Sequence, residues 1–366
     1  MKLFQSRRQP AEAKDDALTR QDVIDGFRWI LGREPESEET INAHLGLGTR
    51  RALRDGLMSS EEYLISVGER LQPTARSLEA ADLDLFRRYH RPSAGEEGYL
   101  IDFLGGRTDI NFNHATMERG GEVESPPLSG NFHSGPIEWI GLLRSVDQAT
   151  DSFTMAELGA GWGPWLVAGA IAAHHRGLRN VALVGVEADN GHFDFLRKHL
   201  SDNGISDDIV TLFHGAVAPE DGTMLFPEID PMEDWGAAAI QTSAGGTRDY
   251  RGKDVNFKEV SGFSLETILK GIGYLDLCHI DIQGAEREII RENLDLLSRK
   301  VRRIVVGTHS RSIEGELFDR LSLSGWQLEL EEPCEFRIGK AISQIDEGLT
   351  VKDGTQVWLN PRLERR

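Results

Sequence analysis

The chain has 366 residues, of which 39% are hydrophobic and 28% charged, and its formal net charge at pH 7 is −19. Such an acidic chain disfavours a nucleic-acid backbone as the main partner, because phosphate binding needs a basic surface. Its longest apolar stretch, residues 165–173, is too short to span a bilayer, and no apolar signal segment follows the basic N-terminus, so we expect a cytoplasmic protein.

The first 72 residues divide into an arm and a small helical domain. Residues 1–17 are polar and charged, which is typical of a disordered arm. In residues 18–72, apolar side chains recur at helical spacing behind start signals such as Thr19. Four short helices are predicted here; the third covers 51–57 and the fourth opens at 59–64 with a capping signature.

The rest of the chain divides into a connecting segment and a larger domain. Residues 73–136 are assigned to a linker or cap segment, since most of them are rich in Gly, Pro, Ser and Asn. Residues 137–366 alternate between helical patterns and strands at 153–158, 181–187, 210–214, 275–282, 301–307, 327–332 and 356–359. This alternation predicts a doubly wound α/β fold with a mostly parallel, seven-stranded, Rossmann-like sheet and an antiparallel C-terminal edge.

In a sheet of this kind, ligands bind beyond the carboxyl ends of the strands. The first strand leads into Glu157-Leu158-Gly159-Ala160-Gly161-Trp162-Gly163-Pro164, whose glycines let the backbone approach a ligand closely. A dinucleotide loop would have the spacing G-x-G-x-x-G. The spacing found here resembles motif I of methyltransferases that use S-adenosylmethionine (SAM). A plain tight turn and a nicotinamide-binding loop are the alternatives.

Two further strand ends carry weaker signals. The second strand ends at Glu187-Ala188, and an acidic residue at this point can accept hydrogen bonds from both ribose hydroxyls of an adenosyl group. The third strand is followed by Gly215-Ala216, whose backbone could border an adenine; a structural turn explains these two residues equally well.

The strand at 275–282 ends with the most specific pattern. Asp281 follows a buried apolar run, where an ionisable group is costly unless something binds it, although a helix-capping role is the alternative. Residues 275–286 resemble the signature of the FkbM-type methyltransferases, which usually ends in Asp-x-Glu-Gly-Ala-Glu. Here Gln283 replaces the first glutamate of that signature.

This resemblance covers roughly residues 135–361 and implies SAM-dependent O-methylation of a hydroxyl group, on a sugar or a polyketide-like product. A short match around residues 31–35 resembles a helical domain that accompanies bacterial glycan-modifying enzymes, which favours a sugar of a surface glycan or a related metabolite as acceptor. The expected cofactor-binding residues are Glu157, Gly159, Ala160, Gly161, Trp162, Gly163, Glu187, Ala188, Gly215, Ala216 and Asp281.

Methyl transfer to an alcohol also needs a proton acceptor. His309 ends the strand predicted to neighbour that of Asp281, and these two residues are the predicted catalytic pair. His279 lies deeper on the strand of Asp281, where a packing or supporting role is favoured. A divalent metal held by Asp281 and other carboxylates is an alternative that Gln283 disfavours, because an amide there removes a negative charge.

Residues 219–262 are too long and polar for a routine connection, and we interpret them as a mobile flap over the acceptor that includes 234–236 and 243–247. For Trp235 itself, packing is the favoured role. Two other functions stay open: a SAM-fold binding or scaffold protein that works through its helical domain, and a nicotinamide oxidoreductase. The sequence carries no signal for the oligomeric state.

Overall fold

The computed structural model describes residues 17–58, 60, 62–63, 78–242, 254–336 and 350–363. The chain divides into two compact units, Met1–Ser77 and Leu78–Arg366. The predicted arm, apart from residue 17, and most of the predicted fourth helix lie outside the described residues. The same holds for 243–247 of the predicted flap. Within the described ranges, no helix combines the length and apolarity that a membrane crossing requires.

The first unit contains short helices around a small apolar core. Its elements are α1 (Arg20–Gly26), which continues as a π-helical turn (Phe27–Leu31), α2 (Glu38–Leu45) and α3 (Arg50–Met58). Thr19 and Asp22 form a capping box at the start of α1, and Ser37 caps α2. The apolar side chains buried between these helices are Val23, Phe27, Ile41, Leu53 and Leu57.

The second unit alternates strands and helices. In chain order its elements are α4 (Ala80–Tyr89), β1 (Tyr99–Ile101), β2 (Arg107–Asp109), α5 (Pro136–Asp147), β3 (Ser152–Leu158), α6 (Pro164–His175), β4 (Asn180–Glu187), α7 (Asn190–Asp202), β5 (Val210–His214), β6 (Ala216–Val217), β7 (Gly222–Pro227), β8 (Ile240–Gln241), β9 (Phe257–Phe263), α8 (Leu265–Ile268), β10 (Leu275–Ile280), α9 (Glu286–Lys300), β11 (Val301–Thr308), α10 (Arg311–Leu323), β12 (Gln327–Glu332), β13 (Glu335–Phe336), β14 (Thr350–Lys352) and β15 (Gly354–Leu359).

The central sheet has seven strands in the order β12-β15-β11-β10-β3-β4-β5. Neighbouring strands from β11 to β5 are parallel, and β15 runs antiparallel to both of its neighbours, β11 and β12. The predicted fold class, a doubly wound and mostly parallel Rossmann-like sheet with an antiparallel C-terminal edge, is therefore confirmed. This topology brings the carboxyl ends of β3, β4 and β10 to one edge of the sheet.

Both faces of the sheet are covered by apolar side chains. Along β3, Phe153 and Met155 belong to the cluster that includes Trp139 of α5 and Leu166 of α6. Side chains of β3 and β10 that point to the other face join a second cluster with α8, α9 and α10. Because both faces of the sheet are covered, all six residues of the central strand β10 are buried, including the polar Asp276 and His279.

The segment that the sequence analysis assigns to a linker contributes to the core of the second unit. Its helix α4 buries Phe86, and the following strands are paired into a small antiparallel ribbon. The ring of Phe103 lies 5.7 Å from that of Phe86 and 5.0 Å from that of Trp139, both in edge contact. Phe86 and Phe103 thus connect this segment to Trp139 of α5, so part of the predicted linker or cap segment belongs to the core of the second unit.

The predicted flap also contains regular structure. Strands β6, β9, β7 and β8 form a four-stranded sheet in that order, within residues 216–263. Strand β7 pairs antiparallel with β9 along its whole length, from Gly222 to Pro227. Part of the segment interpreted as a mobile flap is therefore hydrogen-bonded sheet, and its strand β7 contributes Met224 and Phe226 to a small apolar cluster.

Candidate active site

A cavity of about 730 Å³ lies at the carboxyl ends of β3, β4 and β10. Its volume falls within the range of about 300–1,000 Å³ that is typical of small-molecule sites. Most of the residues predicted to bind a cofactor line it: Glu157, Gly159, Ala160, Gly161, Trp162, Glu187, Ala188, Gly215, Ala216 and Asp281. Gly163 and His309 are not among the lining residues.

The glycine loop between β3 and α6 is shaped by a close approach of two strand ends. Gly159 has a φ of 78°, and a Cβ atom on it would lie 1.8 Å from the carbonyl oxygen of Asp281. Gly163 has a φ of 72° and precedes the first turn of α6, where a Cβ would lie 2.2 Å from a side-chain atom of Leu196. The lack of a side chain at Gly159 therefore lets the loop pack against the backbone of Asp281, whereas Gly163 serves the packing of the helix.

Glu157 is buried at the end of β3 and holds the start of α6. Its carboxylate accepts hydrogen bonds from the backbone N–H groups of Leu166, at 2.9 Å, and Trp165, at 3.4 Å. Burial raises the pKa of Glu157 to about 8. Pro164 occupies the first helical position and has no N–H. Glu157 therefore accepts hydrogen bonds from the next two backbone N–H groups of the helix.

Glu187 ends β4 and faces the same loop. One of its oxygens accepts the Gly161 N–H at 2.8 Å, and the other accepts the Asp189 N–H at 2.7 Å. Burial raises the pKa of Glu187 to about 7. Asp189 caps α7 through the Gly191 and His192 N–H groups, so the two acidic residues of this turn have different roles.

Asp281 lies just beyond β10 and reaches the cavity with a side chain that is 41% exposed. Its Oδ1 atom accepts the side-chain N–H of Gln283 at 2.8 Å and lies 3.3 Å from Nε2 of His309. Burial alone would raise the pKa of Asp281, but the hydrogen bond and positive charge of His309 outweigh burial and lower it. Asp281 is therefore a carboxylate at neutral pH.

His309 lies behind Asp281 and is only 2% exposed. Its Nδ1 atom is 3.1 Å from Oε1 of Glu286, a fully buried carboxylate that also accepts the N–H groups of Ile282 and Gly284 at 2.9 Å. Burial alone would lower the pKa of His309, but Glu286 and Asp281 raise it well above its usual value. The ring is an imidazolium between two carboxylates.

The same three side chains have the spacing of a metal site. Asp281, Glu286 and His309 each offer a ligand atom, and these atoms lie within 4.8 Å of one another. However, both ring nitrogens of His309 already face a carboxylate, so the imidazolium supplies the positive charge between the two acids. A divalent metal ion bound by the three side chains, in place of the second ring proton of His309, is the alternative.

Glu138 is a site residue that was not predicted from the sequence, and for His279 a packing or supporting role was favoured. Both line the cavity, with Nε2 of His279 3.3 Å from Oε2 of Glu138. The other oxygen of Glu138 accepts the hydroxyl of Thr355 at 2.9 Å. Burial alone would lower the pKa of His279, but Glu138 raises it. The two residues are 141 positions apart, and no local pattern in the sequence signals this pair.

Aromatic rings form one wall of the cavity. The ring of Trp235 stacks on His192 at 4.1 Å and meets Trp162 edge-on at 4.4 Å. The indole N–H groups of Trp162 and Trp235 are buried and make no hydrogen bond in the described part of the chain. His133 also lines the cavity. Trp235 thus both packs and borders the site.

These features fit SAM as a ligand. The backbone of Gly159 and Gly161 lines the cavity, and Glu187 presents a carboxylate beside the same loop. The buried indole N–H groups offer donors that the described residues do not use. Together with the order of the sheet, this arrangement defines a methyltransferase of the Rossmann-like class.

Comparisons with known proteins agree with this class. The family model described as "Methyltransferase FkbM domain" matches residues 167–324. A curated protein of Jannaschia sp. (strain CCS1), named "Putative methyltransferase", is 34% identical over 262 residues, which cover 70% of this chain and 93% of that protein. The chain belongs to the FkbM methyltransferase family.

Solved structures show more distant similarity. The FkbM methyltransferase from Methylobacillus flagellatus KT is 14% identical, with a TM-score of 0.35 over 57% of this chain and 44% of that one. The precorrin-6y C5,15-methyltransferase from Geobacter metallireducens GS-15 is 13% identical, with a TM-score of 0.35 over 62% of this chain and 89% of that one. Both TM-scores are below 0.5, so these similarities carry no inference about function.

Proposed function

We propose that this methyltransferase transfers the methyl group of SAM to a hydroxyl group, on a sugar of a surface glycan or a related metabolite. The observation that carries the proposal is the Asp281 carboxylate, which lines the cavity next to the glycine loop. A carboxylate at this point can attract a positively charged group and accept the proton of a hydroxyl.

The cofactor would be held across three strand ends. Gly159 and Gly161 would face it with their backbone, and Glu187 would accept hydrogen bonds from its ribose hydroxyls. A carboxylate has about four acceptor positions, of which two on Glu187 are used by backbone N–H groups, so acceptor capacity is left for a ligand. Gly215 and Ala216 would border the adenine.

When bound, SAM supplies an electrophilic methyl group on a positively charged sulfur. Asp281 would take up the proton of the acceptor hydroxyl as the new oxygen–carbon bond forms and the sulfur–methyl bond breaks, so the products would be a neutral ether and S-adenosylhomocysteine. His309 was the proton acceptor expected from the sequence. Because it lies behind Asp281 and already bears a proton, we assign it the role of holding the Asp281 carboxylate.

A sugar acceptor is supported by the composition of the cavity wall. Aromatic rings such as Trp162 and Trp235 lie beside polar groups such as Glu138, and this combination suits a ligand with apolar faces and many hydroxyls. Binding also aligns the acceptor oxygen with the methyl group, and such alignment supplies several kcal/mol of the rate acceleration.

Calorimetric titration with SAM and S-adenosylhomocysteine (SAH) tests the cofactor. We expect micromolar binding of both, lost in Glu187→Ala and kept in Glu292→Ala, which removes an exposed acid on α9. Incubation with SAM and a panel of mono- and oligosaccharides, followed by mass spectrometry, tests the acceptor. A mass gain of one methylene group that disappears in Asp281→Asn supports the proposal. Failure of the wild type to bind SAM or SAH, with and without Mg²⁺, contradicts it.

A further inference from the structure

Gln283 has an unusual backbone conformation at the edge of the cavity. Its φ is 56°, and among the described residues no other residue except glycine has a positive φ. A side chain in this conformation is strained, and such strain persists only where the surroundings enforce it. Here Glu286 enforces it by accepting the N–H groups on both sides, those of Ile282 and Gly284.

The strained turn directs the Gln283 side chain at Asp281. Its Nε2 atom donates to Oδ1 of Asp281 at 2.8 Å, and His309 approaches that same oxygen at 3.3 Å. Within the described ranges no side chain or backbone group is hydrogen-bonded to Oδ2 of Asp281. Two donors therefore hold one oxygen of a carboxylate that is 41% exposed, and the second oxygen is left for a ligand.

A glutamate, which the FkbM signature usually has at this position, could not form this contact in its ionised form. An ionised carboxylate has no donor, and two carboxylates at this distance cannot both stay charged without a cation. The side-chain amide of Gln283 removes that conflict, since it is neutral and donates.

We propose that Gln283 is a positioning residue, whose amide holds one oxygen of Asp281 so that the other oxygen faces the sulfonium group of SAM. The inference rests on the proposed function, because it takes SAM as the cation in the cavity. It adds a role for the residue by which this chain departs from the family signature.

The experiment uses the charge difference between two ligands. SAM carries a positive sulfur and SAH does not, so the ratio of their dissociation constants reports the interaction with Asp281. We expect Asp281→Asn to remove the preference for SAM. Gln283→Met, which keeps the length but loses the donor, should lower that preference about tenfold, or about 1.4 kcal/mol, while the affinity for SAH stays within about twofold. Gln327→Met, at an exposed position on β12, is the matched control.

A second variant covers the case in which Gln283→Met does not fold. Gln283→Glu keeps the shape of the side chain and places two carboxylates together, which raises the pKa of one of them. The other ionisable groups that face Asp281 are His309, His279, Glu286 and Glu157. All of them are unchanged in this variant. The preference for SAM should therefore become dependent on pH between about 5 and 8 in Gln283→Glu, compared with the wild type and with Gln327→Glu.

The outcomes separate the two proposals. A wild type that binds neither ligand contradicts the proposed function. It also contradicts the role of Gln283, because that role requires SAM in the cavity. A wild type that binds both, with a SAM preference that neither Gln283 variant changes, contradicts only the role of Gln283. Loss of the preference in Asp281→Asn and Gln283→Met, together with the new pH dependence in Gln283→Glu, supports both.

Discussion

The carboxylate of Glu157 accepts the backbone N–H of Leu166 at 2.9 Å and so joins the end of β3 to the first turn of α6. The glycine loop lies between these two elements. A ligand bound by the loop therefore contacts a backbone segment whose two ends are connected to each other through the buried Glu157 side chain. Glu157 lines the cavity as predicted, but its hydrogen bonds are made to the protein.

Gly159 should be the least replaceable glycine of the loop. In Gly159→Ala the new Cβ would lie 1.8 Å from the Asp281 carbonyl oxygen, so the strand ends must separate. We expect a loss of more than about 3 kcal/mol in the free energy of unfolding, with no SAH binding. Gly177→Ala is the matched control, because Gly177 has a similar φ of 76° and nothing within 4 Å of the new atom. The free energy of unfolding of both variants is measured by chemical denaturation. Equal losses would mean that backbone strain alone, and not the contact with Asp281, causes the effect.

SAH binding should strengthen as the pH rises through about 7. Burial raises the pKa of Glu187 to about 7, and only the ionised carboxylate accepts two ribose hydroxyls without donating a proton of its own. The dissociation constant of SAH should therefore fall when the pH is raised from about 6 to about 8. Calorimetry on Glu187→Gln should give a weaker affinity without this pH dependence. A variant that keeps the wild-type pH profile would rule out Glu187 as its source.

His309 should stabilise the fold at neutral pH. Glu286 and Asp281 raise the pKa of His309 above the unfolded value of about 6.5, so its contribution is fully present below that value and is lost as the pH rises through the higher folded-state pKa. His309→Gln leaves the buried Glu286 without its cation and should cost about 3–5 kcal/mol at about pH 7. His174→Gln, at an exposed position on α6, should cost less than about 0.5 kcal/mol. A small loss in His309→Gln would mean that the ring is neutral.

The cavity should not require the first unit. Every residue that lines it lies between His133 and Ile289, within the second compact unit. A chain without residues 1–77 is expected to bind SAH with the affinity of the full chain, as measured by calorimetry. Circular dichroism would first establish that the shorter chain is folded. Weaker binding by a folded fragment would show that the helical unit contributes to the site.

The main sheet could be predicted because its strands are short buried runs with clear boundaries. β5 and β12 have the predicted bounds, and β10 starts where predicted. The small sheet could not be predicted, since β6 has only two residues and pairs with β9 some 46 residues away, and β9 itself contains a glycine. Helix α4 could have been predicted, because Leu85, Phe86 and Tyr89 recur at helical spacing. It was assigned to the linker together with the glycine-rich sequence that follows it.

The candidate site was partly accessible to the same reasoning. Adjacent parallel strands bring Asp281 and His309 together, as expected from their positions after β10 and at the end of β11. Asp281 faces the cavity and His309 lies behind it because of the directions of their side chains. The position of a residue at a strand end does not determine that direction. Gln283 was recognised as a departure from the signature, but its contact with Asp281 depends on a positive φ.

The position of β15 has a consequence for biosynthesis. β15 lies between β11 and β12, although it follows both of them in the chain. On the ribosome, β11 and β12 emerge before β15. Strand β11 can already pair with β10, but its other edge and β12 lack their final neighbour until residues 354–359 have left the exit tunnel. The nascent chain therefore exposes the open edge of a hydrophobic sheet until late in synthesis, which is the stage at which chaperones protect such edges.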